Sequence, residues 1–174
     1  MASRTYRAVH TLSYDEKPGI QATASKGEDR PPIPNTDKSS GYQRDYEYVR
    51  LGTLSLLAAI DLLSGEAIPV VSETHKSSDF VTFLKKLDEK YPEGDIIRII
   101  LDNHSAHTSK ETQEYLNMIP GRFEFVFTPK HGSWLNMIEG FFSKMTKQML
   151  CGIRVKSKKK LEDKIGRASC RERV

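Results

Sequence analysis

The sequence predicts an α/β protein built as one mixed sheet with helices on both faces. Three observations carry this: apolar runs of strand length, amphipathic stripes of helical spacing between them, and an early hairpin followed by alternating strands and helices. A tight turn between strands implies antiparallel pairing and a helical crossover implies parallel pairing, so both occur in one sheet.

Taken in order, Val9–Tyr14 is apolar and β-branched and predicts a strand ending at Asp15, with Pro18-Gly19 as the turn after it. Residues 21–44 are polar and include Arg30-Pro31-Pro32-Ile33-Pro34, which predicts a long loop or extended arm. Thr53–Asp61 is nearly all apolar and suits a central strand, and Ser64-Gly65 then turns the chain into a hairpin partner over Glu66–Glu73. Asp61, just before that turn, is expected to bond locally. Phe80, Leu84, Leu87 and Tyr91 recur at helical spacing, with Ser77 or Ser78 as the expected N-cap. Pro92-Glu93-Gly94 ends that helix, and Ile96–Leu101 is the strongest strand signal, setting Asp102 at its carboxyl edge. Thr108-Ser109-Lys110-Glu111 has the form of a capping box, so a helix is expected to about Met118. Phe123–Phe127 alternates as a strand does. Leu135, Ile138, Phe141, Phe142, Met145 and Met149 form the stripe of a last helix, with Glu139 beside it near the start.

A chain of 174 residues supports one main core. We assign residues 1–155 to it, with the polar excursion near 21–44, and expect a basic tail at 156–164. Residues 165–174 resemble a translated adapter sequence and are expected to be non-native. No apolar run approaches the roughly 20 residues that cross a bilayer, and the basic start has no apolar segment behind it, so neither a membrane role nor a secretory signal is expected. The expected compartment is the cytoplasm. Cys151 and Cys170 make no spaced framework, and a net charge of +4 permits contact with a polyanion without requiring it.

Asp15 and Asp102 both end predicted strands, where sites gather in such sheets, and Glu139 is carried to the core's edge by the last helix. Converging carboxylates suit hard cations. Cleavage of a phosphodiester needs a nucleophile at neutral pH and relief of phosphoryl charge, which two Mg²⁺ supply when carboxylates hold them. No covalent enzyme nucleophile is then required, in keeping with the absence of a convincing Ser or Cys arrangement.

Five segments in order, Asp15-Glu16-Lys17, Tyr48–Thr53, Leu101–His107, Thr128-Pro129 and Ser133–Glu139, resemble transposases of the IS630 family, part of the IS630/Tc1/mariner group. The similarity runs from about Leu12 to Leu150. It implies an RNase H-like fold and a DDE enzyme that cleaves element ends and joins them to target DNA. It further implies Asp15 and Asp102 as the two aspartates, Glu139 as the third acid, and Mg²⁺ or Mn²⁺, two ions per site. DNA, a homodimer in the active complex and a bacterial cytoplasm are the expected setting, with no membrane and no small-molecule cofactor. The family's full form carries a helix-turn-helix region ahead of the core. None precedes it here, so a core without specific end recognition is the expectation.

Around the acids, Asn103 and His107 are candidates to orient a carboxylate or contact the phosphodiester, and Asn136 to position Glu139. His104 and His107, with His131, invite a zinc reading, but they follow a strand rather than line one helical face. Trp134 fits either core packing or the Glu139 site. Lys17 and the run Arg154, Lys156, Lys158, Lys159 and Lys160 are candidate DNA contacts. Two rivals remain open: another RNase H-like nuclease or integrase, and an inactive, truncated DNA-binding remnant.

Overall fold

The computed structural model describes residues 7–27, 46–129 and 137–171. Five strands, β1 (Val9–Ser25), β2 (Tyr48–Asp61), β3 (Ala67–Ser72), β4 (Ile96–Leu101) and β5 (Phe123–Phe127), form one sheet in the order β3-β2-β1-β4-β5. The β1–β2 and β2–β3 pairs are antiparallel, and the β1–β4 and β4–β5 pairs are parallel. Two buried clusters sit on opposite faces. On one, Leu12, Tyr14, Ile97 and Ile99 meet Phe80, Phe83, Leu84 and Leu87 of α1 (Ser77–Lys90), with Tyr115 and Leu116 of α2 (Lys110–Met118) against them. On the other, Leu54, Leu56 and Ile60 meet Phe141 and Met145 of α3 (Ile138–Met145) and Leu161 and Ile165 of α4 (Lys158–Arg171). β2 feeds both clusters, which explains its apolar run Leu56–Ile60. The predicted fold class is the observed one, and among the described residues no helix is long and apolar enough to cross a membrane.

Four local expectations need correction. The first strand does not end at Asp15. Its pairing steps from Lys17↔Leu56 to Ile20↔Leu54, so one extra residue on β1 is absorbed at Pro18-Gly19, where Gly19 adopts φ 69°. A proline without an N–H beside a glycine at positive φ makes a bulge as readily as a turn, and long-range pairing with β2 decides between them. The expected loop accordingly begins later, because Gln21–Ser25 pairs with Tyr48–Thr53. The remainder of the excursion, at 28–44, lies outside the described residues.

The first helix is capped differently from expectation. Its N-cap is Lys76, and the Asp79 carboxylate accepts the Lys76 N–H at 2.8 Å and the Ser72 and Thr74 hydroxyls. The fourth is the stretch expected as a basic tail, which opens α4, a helix that continues through Arg171. Its lysines hid an apolar repeat: Leu161 and Ile165 are four residues apart and fully buried. Asp61 behaves as expected, accepting the Leu63 and Ser64 N–H groups at 2.9 and 3.0 Å, and also the Tyr91 hydroxyl.

Helix α2 is capped by Ser109, whose Oγ accepts the Thr112 N–H at 3.2 Å. Thr112 is fully buried and its hydroxyl donates to the Ala106 carbonyl at 2.8 Å, so this cap also fixes the segment that follows Asp102. Ser109→Ala is expected to lower stability by about 1 kcal/mol, read as a lowered midpoint in urea.

Candidate active site

The three acids come from three elements that the fold brings to one end of the parallel strands. The β1–β4 ladder runs from Val9↔Ile96 to Ser13↔Ile100, and the same register carried two residues further sets Asp15 level with Asp102. Side chains alternate along a strand, so Asp15 shares a face with Ser13. That face carries α3: the Ile138 N–H donates to Ser13 Oγ at 3.3 Å, and Ile138 is fully buried. Glu139, in the first turn of α3, is thereby brought over β1.

The electrostatics follow from this arrangement. The Asp15 carboxyl is pushed up to about 6 by burial first. A hydrogen bond from the Glu16 N–H, 2.7 Å from Oδ1, opposes the rise, and the charges of Asp102, Glu139 and Glu16 add to it. Asp15 is half-buried, whereas Asp102 and Glu139 are exposed. The site thus has one carboxyl whose ionisation is resisted and two that face solvent. A multivalent cation would remove that resistance, so the donor set fits a hard metal ion.

Glu16 leaves the opposite face of β1 and meets a second group. The Tyr14 hydroxyl donates to Glu16 Oε1 at 2.8 Å, and His107 Nε2 lies 3.3 Å from the same oxygen. Burial alone would raise the Glu16 carboxyl, but the hydrogen bonds from His107 and Tyr14 and the charges of His107 and His104 outweigh it and hold it below the usual range. Glu16, His104 and His107 each offer a ligand atom within 4.8 Å of the others. By residue type they could take a transition ion. Their hydrogen bonds already close on one another, however, with His107 Nε2 on Glu16 Oε1 at 3.3 Å and His107 Nδ1 on the Asp102 carbonyl at 3.0 Å, so a polar brace accounts for the cluster without zinc. His131, the third histidine of the zinc reading, lies outside the described residues.

The other predicted residues are dispersed. Asn103 donates from Nδ2 to the Thr128 carbonyl at 3.3 Å, tying the segment after β4 to the end of β5. Asn136 and Trp134 lie outside the described residues. Lys17 and Arg154 line a groove of about 340 Å³ with Tyr48, Thr146 and Leu150. Arg154 is engaged inside the molecule, on Thr23 Oγ1 at 3.1 Å and over the Tyr48 ring. Lys158 is paired with Glu73, and Lys156, Lys159 and Lys160 are exposed.

A family model described as "DDE superfamily endonuclease" matches residues 21–162, a span that includes Asp102 and Glu139 and begins beyond Asp15. The chain belongs to the DDE superfamily endonuclease family. Among curated proteins, this DDE chain is 31% identical over 84 residues to the "Insertion element IS630 uncharacterized 39 kDa protein" of Shigella sonnei. That match covers 48% of this chain and 24% of the relative. Among solved structures, the Mos1 mariner paired end complex with Mn has a TM-score of 0.62 at 14% identity, covering 94% of this chain and 48% of that one. The catalytic domain of the Mos1 mariner transposase gives 0.59 at 12% identity, covering 94% of this chain and 71% of that one. A simian T-cell lymphotropic virus intasome gives 0.53 at 13%, covering 86% and 42%. At such identities the likeness carries the fold, which is the RNase H-like one of transposase and integrase catalytic cores.

Proposed function

We propose that this DDE chain is the metal-dependent catalytic core of an IS630-type transposase, cleaving phosphodiesters at element ends and joining them to target DNA. The observation that carries the reading is geometric: the β1–β4 register sets Asp15 level with Asp102, and the Ile138 N–H on Ser13 Oγ holds the first turn of α3, with Glu139, over the same strand. Asp15, Asp102 and Glu139 are the proposed catalytic and metal-binding residues, with Mg²⁺ or Mn²⁺, two ions per site. Such ions, when bound, relieve phosphoryl charge and make a water nucleophilic at neutral pH.

The chain's own contribution is positional and electrostatic. Asp15 must give up its proton before both its oxygens can act as ligands, and Asp102 and Glu139 offer oxygens on the solvent side, where a DNA backbone can approach. Asn103 and His107 hold the segment carrying Asp102, and Asn136 is the proposed support for Glu139. Lys17, Arg154, Lys156, Lys158, Lys159 and Lys160 are proposed phosphate contacts, giving salt-dependent affinity for DNA. For Arg154 and Lys158 this requires leaving or sharing their present partners. A homodimer on the two element ends is the proposed assembly. Resemblance to the IS630 element protein favours a transposase over an integrase or repair nuclease that would use the same metals.

The purified chain is expected to nick supercoiled plasmid with Mn²⁺, and Glu139→Gln to slow nicking by about a hundredfold or more. Nicking at the wild-type rate in Glu139→Gln would assign the activity elsewhere. Joining of a terminal-repeat oligonucleotide to plasmid separates a transposase from a hydrolytic nuclease, and a wild-type chain that binds DNA but never nicks it is the inactive remnant.

A further inference from the structure

Hydrogen bonding in the β1–β4 ladder stops at Ser13 and Ile100, short of both aspartates. Beyond that point the main chains of Asp15 and Asp102 need another tie if their carboxylates are to keep a fixed spacing. The described residues contain one. Glu16, next to Asp15, places Oε1 3.3 Å from His107 Nε2, and His107 Nδ1 lies 3.0 Å from the Asp102 carbonyl and 3.4 Å from its Oδ1. His107 is only 2% exposed, and the rings of Phe80 and Tyr14, centred 4.6 and 5.5 Å away, fix its plane. Glu16 is itself held, by the Tyr14 hydroxyl at 2.8 Å. Tyr14 and Glu16 therefore grip the imidazole from one face of β1 while Asp15, between them in sequence, points to the other.

We propose that Glu16 is a positioning residue which, through His107, sets the distance of Asp102 from Asp15. The proposal rests on the catalytic reading given above. Glu16 touches neither metal nor DNA in it. Its carboxylate suits the task because it offers acceptors only, and both groups that reach Oε1, a phenol hydroxyl and an imidazole N–H, are donors. Partners that orient ligands in this way typically alter apparent metal affinity by about 10–100-fold when removed.

The test is the Mn²⁺ concentration for half-maximal plasmid nicking, measured well below the melting temperature of each variant. Glu16→Ala is expected to raise it about tenfold or more, and Glu16→Gln, whose amide oxygen can accept the same two hydrogen bonds, to regain most of that loss. A role confined to stability would lower the melting temperature of Glu16→Ala and leave half-saturation within about twofold of wild type, and that result overturns the proposal. Should Glu16→Ala fail to fold, His107→Gln cuts the same link from its other end, and unchanged half-saturation there overturns it equally. Asp102→Asn separates the two readings. Nicking lost in Asp102→Asn but untouched by Glu16 and His107 variants refutes the brace alone, whereas nicking that survives Asp102→Asn refutes the catalytic assignment beneath it.

Discussion

Asp15→Asn is expected to abolish Mn²⁺-dependent nicking, by about a thousandfold or more, while making the metal-free protein more stable at neutral pH. The two effects have one cause. Unfolded, this carboxyl titrates near the ordinary 3.8; folded, it is raised to about 6, chiefly by burial and then by Asp102, Glu139 and Glu16. The folded state therefore holds the proton more tightly. The stability that this provides is complete below the unfolded value and is lost as pH rises from about 3.8 through about 6. Asparagine cannot ionise, so the variant escapes that loss. Above pH 6 it should melt higher than wild type by an amount worth roughly 1 kcal/mol, a figure lowered for solvent screening of a partly exposed group. Towards pH 4 the curves should converge. Saturating Mg²⁺ should reverse the order at neutral pH by stabilising wild type and leaving the variant unchanged. Thermal melts at acid and neutral pH, with and without Mg²⁺, check all of this. A variant that melts below wild type at pH 7.5 without metal would contradict it.

Arg122→Ala is expected to be the most destabilising single change away from the acids, by about 3–5 kcal/mol, with no direct effect on metal binding. The Arg122 guanidinium is buried and collects five acceptors: the Asp88 carboxylate at 2.7 Å and the carbonyls of Asp88, Tyr91, Pro92 and Asp95 at 2.7 to 3.0 Å. Several belong to the last turn of α1 and the connection into β4, where main-chain carbonyls have no helical partner. One side chain thus satisfies four main-chain carbonyls of the junction. Lysine carries the charge but not the planar fork, so Arg122→Lys should recover little of the loss. Urea denaturation gives the stabilities. A loss below about 1 kcal/mol for Arg122→Ala would mean that water replaces the guanidinium without penalty.

Legibility in the sequence follows the range of the forces involved. Ile96–Leu101 declares itself because a short strand in the middle of a sheet needs apolar residues on both faces, and Asp102 at its edge is plain for the same reason. The apolar stripe of α3 likewise reveals Phe141, Phe142 and Met145, all buried. The end of β1 is not visible locally, because Pro18-Gly19 fits a turn or a bulge and only pairing with β2, about 40 residues away, decides. Glu16, in the Asp15-Glu16-Lys17 motif, carries no local sign of its role. Strand alternation alone would have turned it away from Asp15, but its histidine partner stands 91 residues further on. In α4 the signal was present, in the spacing of Leu161 and Ile165, and lysine content obscured it.

The chain delivers Asp15 first, Asp102 midway and Glu139 late, and β1 finds its neighbour β4 only after two other strands and a helix have been made. A growing polypeptide on the ribosome therefore lacks the third acid until α3 has emerged. Contacts this remote in sequence form slowly, since long loops must close before they are rewarded. Any chemistry that needs all three side chains consequently waits until α3 settles onto the finished sheet.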